Sequence, residues 1–141
     1  MEILIKVGGY YNIVLVIFHL LFWHIFDWNK ELRSLSPVNR SIMPVINLSL
    51  TLVFVIFAYL SLRHTEEILN SPMGRSLLLF MALFWLARSL MQVIFFKLRH
   101  WLSFAFLGYF LIGTLLYGIP AASQLWSSID DIPVSSYASS F

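Results

Sequence analysis

The chain has no cysteine in its 141 residues. That excludes disulfides, thiolate metal sites, iron–sulfur clusters and cysteine nucleophiles together. Charge is also scarce: Asp, Glu, Lys and Arg make up 11%, against about 25% in a soluble domain. The net charge of +2 reflects few ionisable groups rather than a basic patch, and nucleic-acid binding needs clustered Lys and Arg. There is no Gly-rich phosphate loop, no GxSxG, no HExxH and no His-x3-His. No carboxylate pair sits within an apolar run. No internal repeat or inverted half is visible, so the marks of a complete secondary transporter are missing. The sequence points to no catalytic residue, no metal and no cofactor.

What is present is apolar surface, at 60% hydrophobic and 17% aromatic residues. A soluble domain of this length cannot hide so much of it, which makes the bilayer the solvent. A helix needs about 20 apolar residues to cross roughly 30 Å of hydrocarbon. Four runs qualify: 7–26, 42–62, 77–96 and 102–119. None alternates with the period of two that a membrane barrel strand requires. The first run exceeds the 7–15 residues of a signal h-region and is followed by bulky aromatics, so it reads as a retained helix. The expected fold is all-α, a bundle of four transmembrane helices over 1–129 with a loose Ser-rich tail, 130–141.

In the first connection, Trp28, Leu32 and Leu35 recur at i, i+4 and i+7, with Lys30, Glu31 and Arg33 between them. This predicts a short amphipathic helix at the headgroup level, with Asp27 as its cap. Ser36-Pro37 reads as an N-cap and first helical position, and Pro44 falls inside the second span. Asn70-Ser71-Pro72 breaks the second connection. Between the last two runs only 97–100 interrupts the apolar text, which predicts a tight helical hairpin there. After Pro120, one more interfacial turn would turn Leu125, Trp126 and Ile129 to lipid. Trp23, Trp28, Trp101 and Trp126 lie near span ends, as in an aromatic belt.

Orientation follows the basic residues. Lys30, Arg33, Arg40, Lys97 and Arg99 occupy the first and third connections; Lys6, Arg63 and Arg75 occupy the other side. Five against three places both termini outside, in a membrane expected to be the bacterial inner membrane.

The segment Trp28-x3-Leu32-x2-Leu35-x-Pro37-x-Asn39-Arg40 resembles one found in small bacterial membrane proteins of four helices and unassigned role. The resemblance covers the first half of the chain and implies the same four-span architecture. It supplies no activity, cofactor or active-site residue. Physically, Asn39 and Arg40 sit at the interface, where Arg40 is placed to contact lipid phosphate.

Arg88 stands out because it lies deep in the third run. A charge there costs about 2.5–3.5 kcal/mol on insertion scales, so something must offset it. Counting by depth, His19, Thr51, Arg88 and Tyr109 fall at one level, with Asn47 and Gln92 a turn nearer the inner face. No carboxylate shares that depth. The acceptors for Arg88 are then neutral oxygens such as Asn47, Gln92, Tyr109 or a backbone carbonyl, an anion from outside the chain, or a carboxylate on another subunit, and the guanidinium can also snorkel several ångströms toward the inner headgroups. Asn12, Asn47 and Gln92 read as interhelical hydrogen-bond glue, and His19 as a hydrogen-bonded core histidine. Gly108, Gly113 and Gly118 recur every five residues, which is not a one-face spacing, and read as allowing close packing on several sides.

The leading functional expectation is a non-catalytic accessory or assembly subunit. It would bury faces containing Phe80, Met81, Phe84, Trp85, Met91 and Phe95 against lipid or partners in a larger membrane complex or homo-oligomer. The alternative is a binding or transport protein holding an anionic small molecule or lipid headgroup on Arg88, His19, Asn47 and Gln92. A third reading is an enzyme for a lipid-soluble substrate with His19 as acid or base.

Overall fold

The computed structural model describes residues 1–96 and 101–130, with side chains through 127. Among the described residues the only regular structure is helical. In chain order the elements are α1 (Glu2–Leu20), α2 (Phe22–Ile25), α3 (Trp28–Glu31) running into a 3₁₀ turn (Leu32–Ser34), α4 (Pro37–Arg63), α5 (Thr65–Asn70), α6 (Pro72–Phe96) and α7 (Trp101–Asp130). Four of them, α1, α4, α6 and α7, are long and apolar enough to cross a membrane. The all-α, four-span class predicted from hydropathy is the class observed. The chain forms two compact units, Lys6–His64 and Met1–Ile5 with Thr65–Phe141. One boundary falls in the second connection, between His64 and Thr65, and the other inside α1, between Ile5 and Lys6; hydropathy marks neither. The expected tail, 130–141, lies outside the described residues apart from the backbone of Asp130, as does the expected hairpin turn at 97–100.

In the unit Lys6–His64, α1 and α4 run antiparallel: Gly9 meets Ser61 and Leu62, whereas His19, further along α1, meets Phe54 and Asn47. A Cβ on Gly9 would lie 2.6 Å from Leu62 Cγ, so the missing side chain is what lets the helices approach there. α1 starts at Glu2, earlier than the apolar run alone predicts, with an acid in its first turn where the helix dipole favours negative charge. It also stops earlier, at Leu20. A turn at Leu21 and the single turn α2 follow.

The chain then reverses at Asp27, whose φ of 44° and ψ of 49° make it left-handed. Asp occupies the N-cap position of α3 as predicted, but its side chain makes no cap hydrogen bond. Its contribution is the reversal itself, since Asp is among the few residues besides Gly that tolerate this conformation. The amphipathic face of α3 turns inward: Trp28 and Leu32 are buried, with Trp28 edge-on to the rings of Phe22 and Trp23. Trp28 therefore belongs to the protein interior, whereas Trp23, Trp101 and Trp126 are exposed. α4 begins as read from Ser36-Pro37, with Ser36 Oγ accepting from the Asn39 N–H at 3.4 Å, and it continues through Pro44.

In the other unit, α6 and α7 are antiparallel, with Ala82 near Gly118, Arg88 at Phe110 and Gln92 at Ser103. Their shared core holds Leu78, Met81, Trp85 and Tyr117, all fully buried. The second connection is not a plain loop but contains α5. Ser71 accepts from the Gly74 N–H at 2.9 Å, which makes Ser71-Pro72 a second Ser-Pro helix start. A Cβ on Gly74 would fall on the backbone of Ile68, so only Gly lets α5 fold back over the start of α6. α7 continues through Pro120 to Asp130, well past the end predicted at 119. The physical reason is a tertiary anchor: the buried Gln124 Nε2 donates to Ile68 O at 3.1 Å and Leu69 O at 2.7 Å, satisfying carbonyls at the end of α5 that the short helix leaves open.

Candidate functional site

Arg88 is half-buried on α6, eight residues before its end, or about 12 Å at 1.5 Å per residue. Its guanidinium carbon lies 4.6 Å from the centroid of the Phe110 ring. That ring is buried and near-parallel to Trp85, with centroids 6.2 Å apart and planes at 24°. Among the described residues no carboxylate, amide or carbonyl accepts a hydrogen bond from Arg88. Tyr109, placed at the same depth from the sequence, sits edge-on to Phe110 at 6.4 Å. Gln92, one turn from Arg88, is buried and donates to Ser103 Oγ at 3.2 Å. Its amide nitrogen thus ties α6 to α7.

In the unit Lys6–His64, three of the candidate polar residues form a chain. Thr51 Oγ1 donates to Asn47 O at 2.7 Å, and Asn47 Nδ2 donates to His19 O at 3.0 Å. His19 Nδ1 lies 2.9 Å from Leu15 O; a carbonyl can only accept, so Nδ1 carries the hydrogen in that bond. The imidazole stacks on Phe22 at 4.7 Å and meets Phe54 edge-on at 5.0 Å. Asn12 is fully buried and donates to Gly8 O at 2.7 Å. These side chains mostly satisfy backbone carbonyls, on their own helix or across to the neighbour. Asn47 Oδ1 is buried without a hydrogen-bond partner.

At the start of α4, Asn39 contributes its backbone N–H to the Ser36 cap. Arg40 does more. Its Nε donates to Leu32 O at 2.9 Å, and its Nη2 donates to Arg33 O at 2.9 Å and Leu35 O at 3.3 Å. One guanidinium thereby closes the carbonyl end of the α3 and 3₁₀ segment, where a cation also complements the helix dipole.

Three contributors escape sequence reading. Phe110 is one apolar residue among many, with no pattern to mark it. Ser103 carries a weak signal, lying about as far after the connection at 97–100 as Gln92 lies before it. Gln124 lies past the span end read at 119, in a turn whose expected lipid contacts are Leu125, Trp126 and Ile129. Gly108 is exposed, and a Cβ there would meet nothing within 4 Å; at Gly118 the nearest neighbour would be Ala82 Cβ at 4.0 Å. Closer approaches are made at Gly9 and Gly74. Among the described residues no group of three or more His, Asp or Glu is placed to hold a metal ion.

No known protein family, curated protein or solved structure matches this chain.

Proposed function

We propose that this chain is a small integral membrane protein acting as a non-catalytic accessory or assembly subunit, joined to its partner at Arg88. The observation that carries the reading is the guanidinium lying over Phe110 with no hydrogen bond among the described residues. A cation–π contact contributes about 0.5–2 kcal/mol, less than the roughly 2.5–3.5 kcal/mol that a charge costs at the centre of a span. The remainder calls for an acceptor outside the described chain, and a carboxylate on a neighbouring subunit matches a planar guanidinium fork. The surroundings favour a protein acceptor over a hydrated solute. Met91 and Phe95, at i+3 and i+7 from Arg88, are exposed and form an adaptable apolar face of the kind that packs against another helix.

The test is purification from native membranes in mild detergent. The wild-type chain is expected to co-purify with a larger complex, and Arg88→Gln to accumulate as a folded protein that elutes alone. A wild-type chain that is fully stable as a monomer or homodimer would overturn the reading, as would an Arg88→Gln variant that keeps the same complex. The anion-binding alternative predicts instead that small anions raise the thermal stability of the isolated wild-type protein and not that of Arg88→Gln.

A further inference from the structure

A second basic site lies in the connection between α1 and α4, independent of Arg88. Here a cleft of about 210 Å³ is lined by Trp23, Trp28, Arg33, Arg40 and Pro44 among others, with no acidic side chain in its wall. Arg40 does not sample this cleft as a loose surface side chain. Nε and Nη2 are anchored on three carbonyls, so its orientation is set before any ligand arrives, and Nη1 makes no hydrogen bond among the described residues. A pre-set guanidinium loses less freedom on binding. The Arg33 side chain makes no hydrogen bond among the described residues and supplies a second cation. Two guanidinium groups without a carboxylate select a delocalised oxyanion, and phosphate fits their geometry best.

The cleft has an apolar exit. Arg40, Pro44 and Leu48 are spaced i, i+4 and i+8 on α4 and so share one face, and Leu48 is 66% exposed. Trp23 is exposed beside the basic pair, an amphipathic ring at the level where headgroups lie. Free phosphate makes no use of that apolar strip, whereas a phospholipid uses both parts. We infer that this cleft binds an anionic phospholipid, its phosphodiester between Arg33 and Arg40 and an acyl chain along Pro44 and Leu48.

The test uses the full chain, delipidated in dodecylmaltoside micelles. Thermal stability is followed on adding dioleoyl phosphatidylglycerol, dioleoyl phosphatidylcholine or inorganic phosphate, and bound lipid is counted by native mass spectrometry. Phosphatidylglycerol is expected to bind and stabilise, phosphatidylcholine to do so much less, and phosphate to leave the melting temperature unchanged. Arg33→Gln breaks no hydrogen bond within the described residues, so it folds, and it is expected to bind phosphatidylglycerol about fivefold more weakly. Arg40→Lys keeps the charge without the guanidinium fork and is expected to lose both lipid and some stability. Equal phosphatidylglycerol binding by wild type and Arg33→Gln overturns the site. Stabilisation by phosphate alone, removed by Arg33→Gln, would make it a free-anion site and overturn the lipid assignment.

Discussion

At the scale of single residues, the chain separates polar groups that hold helices together from one that is left over. Thr51, Asn47, Gln92 and Gln124 each find an oxygen on a neighbouring turn or helix. Such bonds average only about 0.6 kcal/mol within membranes. Asn47 also buries an Oδ1 with no partner, which offsets part of what its Nδ2 contributes. Asn47→Leu is therefore expected to change stability by less than about 1 kcal/mol in reversible unfolding from mixed micelles, and a loss above about 3 kcal/mol would contradict this. Arg88 differs, because its ring contact with Phe110 is its visible compensation. A double-mutant cycle with Arg88→Met and Phe110→Leu should return a coupling of about 0.5–2 kcal/mol. A coupling of zero would mean the ring contributes packing alone. Arg88 is legible in the sequence because a charge in an apolar run is conspicuous. Phe110 is not, since thirteen phenylalanines share its chemistry and only the α6–α7 register selects one of them.

At the scale of elements, the spans were legible, as was the Ser36-Pro37 start of α4, but the end of α1 and the reach of α7 were not. Hydropathy locates four long helices because the bilayer allows only helices or closed barrels, and no run has the alternation a barrel strand requires. It cannot see what happens where local bonding competes with it. The first span stops at Leu20 because the chain must turn to bury Trp28 and Leu32. The last runs past Pro120 because Gln124 reaches the carbonyl end of α5, and proline is tolerated in such helices when neighbours satisfy the freed groups. Glycines differ in role for a related reason. The regular series on α7 includes a position with open space, whereas the isolated Gly74 sits against the backbone of Ile68. Two substitutions separate these roles. Gly108→Ala is expected to be neutral or slightly stabilising, because it meets nothing and alanine is the better helix former. Gly74→Ala is expected to destabilise by more than about 2 kcal/mol, since backbone cannot move aside as a side chain tip can. Thermal unfolding of the two variants in the same detergent decides the matter, and equal melting temperatures would refute the α5–α6 close approach.

At the scale of the whole molecule, what the helices commit the chain to is a parity. Four crossings would return the chain to the side on which it began and put the first connection opposite the second. The orientation expected from the basic count would put Lys30, Arg33 and Arg40 on the side that retains positive charge, and with them the proposed lipid cleft. The absence of native cysteine makes the arrangement directly measurable, because each introduced thiol is the only one present. Asn29→Cys, Glu66→Cys and Ser127→Cys fall at exposed positions in the first connection, in the second connection and near the end of the described part of α7. With a membrane-impermeant maleimide applied to sealed vesicles of known orientation, Glu66→Cys and Ser127→Cys should label from the outer face, and Asn29→Cys only after the vesicles are opened. The reverse pattern would keep four crossings and invert the orientation, since the five-to-three basic count is a small bias that a few charges can tip. Labelling of Asn29→Cys and Glu66→Cys from the same face would be more serious. It would mean that α4 does not cross, however long and apolar it is.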